Sequence, residues 1–186
     1  MPLARLMQRR RARDNVYALY GRIVAQARQP TFFFELGVPD TVDGRFELVV
    51  LHAFLIFERL KLDNDATAEF AQRVFDTMFT DFDRSLREMG VSDLSVGKEV
   101  KRMAQAFYGR AAAYSRGLAG DDRVLSEALR RNVFGTATPN DRNVQALAKY
   151  VRAANRRLAL QPVASFLAGK ADYGPVELLR SEGGAE

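Results

Sequence analysis

Residues 46–62, FELVVLHAFLIFERLKL, decide the fold. The run is apolar around most of a helical circumference, which marks a helix enclosed by others. Glu47, His52, Glu58, Arg59 and Lys61 interrupt it, whereas a bilayer span needs about 18–20 uninterrupted apolar residues. It reads as the central helix, 44–62, of a globular core. Helical spacing continues on both sides, and alternating strand patterns are nearly missing. Upstream, 9–28 place Val16, Leu19, Tyr20, Ile23, Val24 and Ala27 on one stripe that ends before Pro30. The adjacent Phe32, Phe33 and Phe34 imply a connector pinned to the body, which Gly37 and Pro39 then punctuate. Downstream, Asn64 can cap a helix running to Met89 with Phe70, Val74, Phe75, Met78, Phe79, Phe82 and Leu86 as its stripe. Gly90 stands where a left-handed terminator is wanted. Further helices are expected over about 92–118, from Asp121 or Asp122 to Gly135, and from Asn140 onward, with Pro162 splitting the last before Phe166. The expectation is an all-α, single-domain irregular helical bundle of about six or seven helices over 1–168, followed by a loosely attached tail, 169–186.

Composition removes whole classes of chemistry. The 186 residues include one His, no Cys and no Trp, so disulfides, thiol nucleophiles, thiolate metal sites and multi-His centres are not available. His52 is preceded at the Glu-x-x-His spacing by Val49, and embedded between Leu51 and Phe54 it reads as a hydrogen-bonded core residue. Gly97-Lys98 lacks the upstream glycine and the following Ser or Thr of a phosphate loop. Asp76, Asp81 and Asp83 fall on different sides of one helix and read as solvated acids. No catalytic, cofactor-binding or metal-binding set emerges.

Charge is segmental. Residues 1–30 carry seven Arg and one acid, 31–95 six basic and thirteen acidic side chains, and 96–186 fifteen against nine, for a net +5. A basic, acidic, basic chain of this kind speaks to partners and not to fold: nucleic acid, an anionic membrane and a ribosome fit it alike. The start, MPLARLMQRRRARDNVYALY, superficially resembles a mitochondrial presequence but runs without a break into the next apolar face, so a cytoplasmic location is expected. An RNA-binding or ribosome-binding alternative rests on a pI near 9.7 and on Lys149, Arg152, Arg156 and Arg157 close to one helical face. No DNA-binding motif is present.

Residues 96–114 carry the most information. Val96, Val100, Met103, Ala104, Phe107, Ala111 and Tyr114 make a core-like face, while Lys98, Lys101, Arg102, Gln105 and Tyr108 make a cationic one. Gly97 and Gly109 each cost roughly 1 kcal/mol relative to Ala inside a helix, which suits a place where a backbone or a partner comes close. The run 86–98, LREMGVSDLSVGK, continuing through Phe107-Tyr108-Gly109-Arg110, resembles the signature of the ubiquinol-cytochrome c chaperone family. FDTMFTDFD at 75–83 and FELVVLHAFLIFERLK at 46–61 are similar to the same family, so the likeness covers roughly 14–135.

The resemblance implies a non-enzymatic assembly chaperone without a cofactor. Such a protein binds newly synthesised cytochrome b and supports assembly of the ubiquinol-cytochrome c reductase (bc1) complex of the respiratory chain. Lacking the long N-terminal extension of mitochondrial members, the chain points to a bacterial form at the cytoplasmic face of the inner membrane. The ribosome contact and the small helical partner of mitochondrial members stay open. The expected partner-binding residues are Phe107 and Tyr108 as aromatic contacts, ringed by Lys98, Lys101, Arg102 and Arg110. The connector 32–34 is a second apolar patch, although the wheel position of Phe107 favours the core. Arg9, Arg10, Arg11 and Arg13 are expected to draw the protein peripherally to anionic lipid.

Overall fold

A computed structural model describes residues 2–176, with residues 2–6, 8, 9 and 64 described by their backbone alone. Six long helices are joined by two single turns: α1 (Pro2–Ala27), α2 (Pro30–Phe34), α3 (Val42–Lys61), α4 (Asn64–Glu88), α5 (Asp93–Ala119), α6 (Asp122–Asn132), α7 (Asp141–Ala159) and α8 (Val163–Leu167). The all-α bundle holds, and among the described residues there is no strand.

The helix boundaries follow local chemistry. Thr41 Oγ1 accepts from the Gly44 amide at 3.1 Å, Asp121 from Val124 at 3.0 Å and Asn140 from Asn143 at 2.7 Å, so each side chain satisfies an amide that its helix leaves open. Gly90, at φ +86°, turns the chain after α4. Pro162 separates α7 from α8. The first helix begins at Pro2 and not near Arg9: Pro suits a first turn, and the Arg, Ala, Leu, Met and Gln that follow propagate the helix beyond its packed part.

The core is built around α3, which packs against α1, α4, α5 and α7. Its residues 47–56 are buried without a break. A helix enclosed that completely must pair its own polar side chains. His52, fully buried, donates from Nδ1 to the Leu48 carbonyl at 2.7 Å and accepts at Nε2 from the Tyr150 hydroxyl at 2.9 Å. Tyr150 in turn accepts from Gln26 Nε2 at 3.0 Å. The chain of bonds thus joins α1, α3 and α7, and it settles the imidazole as neutral with its proton on Nδ1. Phe32 closes the site edge-on, with ring centroids 5.1 Å from His52 and 5.2 Å from Tyr150.

The expected loose segment is corrected in its first part. Tyr173 is buried, its hydroxyl donates to the His52 carbonyl at 2.9 Å, and its ring meets His52 edge-on at 5.2 Å. Val176 is buried as well, and Gln161 exchanges two hydrogen bonds with the backbone of Asp172. A tyrosine that finds both an apolar wall and an acceptor anchors a stretch that has no helical period of its own. The remainder of the expected tail, 177–186, lies outside the described residues.

At Gly97 and Gly109 no backbone of this chain makes the expected close approach: among the described residues nothing outside the helix's own backbone lies within 4 Å of where a Cβ would stand at either. The close approach belongs to Gly117, where an added Cβ would meet the Leu125 Cα at 2.8 Å, so α5 and α6 pack through that glycine.

Burial drives the His52 pKa down to about 4 from 6.5. Between those values the unfolded chain binds more protons than the folded one. Stability is therefore expected to fall as pH drops through that window, by up to about 3 kcal/mol. Urea unfolding of the protein and of His52→Phe across the window checks this, since the difference in slope belongs to the imidazole.

Candidate functional site

The residues singled out on α5 separate into three environments. Lys98, Lys101 and Arg102 are exposed, with Arg102 paired to Glu99 at 2.8 Å. Tyr108 is 63% exposed and lies with its ring centroid 5.8 Å from that of Phe75, the two planes inclined by 31°. Phe107 is not a surface contact. It is buried among Phe57, Phe75 and Phe79, edge-on to each at 5.8, 5.4 and 6.4 Å, because its helical register turns it onto α3 and α4.

Arg110 also departs from the expectation of a charge in a surrounding ring. It turns inward and holds the buried Glu47 of α3 bidentately, with Nε 2.6 Å from Oε2 and Nη2 on Oε1, while its guanidinium stands 5.9 Å from the Phe46 ring. Burial raises the Glu47 pKa even against the pull of Arg110, and the same carboxylate holds Arg110 protonated. The pair ties α5 to the first half of α3.

Glu47 and Arg110 stand in a groove of about 510 Å³. Its apolar lining comes from Val24 of α1, Phe46 of α3, Phe82 and Leu86 of α4, and Met103 of α5, with exposed Val42 and Met89 at the edges. Charge surrounds it: Arg28, Arg45, Arg102 and Arg131 against Asp43, Asp81 and Glu99. Of the residues expected from the sequence, Arg102 and Arg110 line this groove. Lys98, Lys101 and Tyr108 do not. Sequence reasoning missed Val42, Phe82 and Met89 because the groove is assembled from five separate stretches. The one readable signal was an acid, Glu47, inside an apolar helix.

The other expected sites have definite places. Phe32 is buried, Phe33 half-buried and Phe34 85% exposed, so one aromatic ring of the connector remains at the surface. Arg10, Arg11 and Arg13 are exposed, and the side chain of Arg9 lies outside the described residues. The three acids of α4 hold separate partners: Asp76 accepts from Gln72, Asp81 from Tyr20 and Arg84, and Asp83 from Arg87. Of the four cations behind the RNA-binding alternative, two are structural. Arg152 bonds the carbonyls of Gly117, Leu118 and Gly120 together with Asp122, and Arg157 is bonded to Asp172. No helix of the described residues is long and apolar enough to cross a membrane.

Among the described residues an all-helical body carries an apolar, charge-edged groove and no group of His, Cys, Asp or Glu side chains placed to hold a metal ion. Residues 34–173 match the ubiquinol-cytochrome C chaperone family, and the chain belongs to that family. It is 26% identical over 134 residues to the ubiquinol-cytochrome-c reductase complex assembly factor 1 of Xenopus laevis, covering 72% of this chain and 67% of that one. The assembly factor 1 of Mus musculus is 27% identical over the same share of this chain, which spans 45% of its length. The crystal structure of the Cbp3 homolog from Brucella abortus superposes with a TM-score of 0.85 at 36% identity, over 95% of this chain and 98% of that one. The family is thus one of bc1 complex assembly factors, and its role is non-enzymatic.

Replacing Arg110 with Ala is expected to lower the unfolding free energy by about 2–4 kcal/mol near neutral pH, because Glu47 is left charged in a site nearly closed to water. The loss shrinks as pH falls and Glu47 takes up a proton. Urea melts of protein and variant at about pH 7 and about pH 5 measure both effects.

Proposed function

We propose that the chain is an assembly chaperone that holds newly synthesised cytochrome b and supports formation of the ubiquinol-cytochrome c reductase complex. The groove between α3, α4 and α5 carries this reading. A membrane protein caught before assembly presents apolar helix surface next to charged loop ends. A binder for it needs an apolar contact within a charged surround to be both adhesive and soluble. The groove has both parts, and Leu86, Met89 and Arg110 of the stretches that resemble the family signature are among its lining. Exposed Met89 and Leu94, which is 98% exposed, extend the apolar surface around the corner between those helices. Lys98, Lys101 and Arg102 supply the charge beside it, with Tyr108 as the exposed aromatic contact on the outer side of α5.

The protein works peripherally at the cytoplasmic face of the inner membrane. The exposed Arg10, Arg11 and Arg13 of α1 support that placement, since each cation near an anionic surface contributes about 1 kcal/mol. Flotation with vesicles containing phosphatidylglycerol is expected to carry the protein upward at low salt and to fail at high salt.

Affinity capture from detergent-solubilised membranes tests the client. Cytochrome b is expected to co-purify, and the double change Val42→Glu with Met89→Glu is expected to reduce its recovery at least about tenfold while the helical spectrum and melting temperature stay unchanged. Recovery unaffected by those changes would remove the groove from the mechanism. Normal cytochrome b levels in a strain lacking the gene would remove the client.

A further inference from the structure

A second groove, of about 850 Å³, lies between α7 and the stretch 173–176. It differs in kind from the first. Arg142, Lys149, Arg152, Arg156 and Arg157 line it against a single acid, Asp122. Arg152 and Arg157 are engaged by Asp122 and Asp172, so their charges are largely answered within the chain. Arg142 and Arg156 are exposed and make no ion pair among the described residues. They stand fourteen residues apart on one helical stripe, with Gln145 and Lys149 between them, which puts their positions about 21 Å apart along the helix axis.

Among the described residues, Arg142, Arg156 and the exposed Gln145 amide in this concave channel have no structural work to do. The cations that hold the fold at this place, Arg152 and Arg157, are already accounted for. We propose that this groove binds an acidic, extended peptide segment of a protein partner, with carboxylates meeting Arg142 and Arg156 and the main chain lying along Gln145. An extended peptide of about seven residues covers the distance between the two guanidinium positions.

The shape and the lining favour this occupant over the other anionic classes. Single-stranded RNA is held largely by stacking on exposed aromatic rings, and the two tyrosines here, Tyr150 and Tyr173, are both buried. A bilayer presents a plane, whereas these cations line a channel with a second wall at 173–176. The inference rests on the charge and shape of this groove and not on the client reading of the first one.

Fluorescence anisotropy of the full chain with a labelled peptide carrying Glu at every third position between Ser residues tests it. Saturable binding is expected, weakening as salt rises and falling at least about tenfold in the Arg142→Glu, Arg156→Glu double variant, whose melting temperature is expected to match that of the parent. Capture of cytochrome b by the same variant is expected to be unchanged, which separates this groove from the first. The proposal is overturned by absence of saturable binding, by equal affinity in parent and variant, or if an oligouridylate or phosphatidylglycerol vesicles bind more tightly than the peptide and lose that affinity in the Arg142→Glu, Arg156→Glu variant.

Discussion

Enclosure of residues 47–56 of α3 is the constraint on which the remaining structure depends. A helix so enclosed stabilises the fold through its leucines, valines and phenylalanines, but it carries Glu47, His52 and Arg59 inside with it. Each buried polar group without a partner costs about 1–3 kcal/mol, more when charged. Partners for all three come from other parts of the chain: Arg110 for Glu47, Tyr150 for His52, and the Gln161 carbonyl for Arg59. Asp63 and the Phe166 ring complete the surroundings of Arg59. Each polar residue of the central helix thus specifies which neighbour stands beside it and at what height.

The first groove follows from that arrangement. Glu47 lies in the first half of α3, and its bidentate bond to Arg110 draws the middle of α5 toward it. The aromatic cluster of Phe57, Phe75, Phe79 and Phe107 holds α4 and α5 to α3 further along. Beside these two attachments Phe46, Phe82 and Leu86 line an opening that the described residues leave unfilled. Arg110 therefore lines the groove proposed to hold the client and is at the same time a structural tie to Glu47.

Much of the fold was legible in the residues. The three- and four-residue spacing, the caps at Asp121 and Asn140, the stop at Gly90 and the break at Pro162 all reflect interactions within a few residues of one another. The anchoring of 169–176 was not legible, because Tyr173 is held by His52, far away in the chain. The same holds for the candidate site. Helical register alone separates Phe107 from Tyr108, but the inward turn of Arg110 depends on where α3 places Glu47. Gly97 and Gly109 looked like places of close approach, yet the intimate contact is at Gly117, since only the packing of α6 against α5 reveals which glycine a neighbour crowds.

The sequence by itself determined the helical class, the central place of residues 46–62 and the family. Those properties rest on local periodicity, on side-chain chemistry and on a long ungapped motif. Only the tertiary structure decided which charges are available to a partner. An arginine counts as free or engaged according to acids and carbonyls that other helices bring within hydrogen-bond reach. Arg110, Arg152 and Arg157 are engaged, whereas Lys98, Lys101, Arg142 and Arg156 face solvent. That division depends on distances in space, for which a linear order of residues carries no physical record.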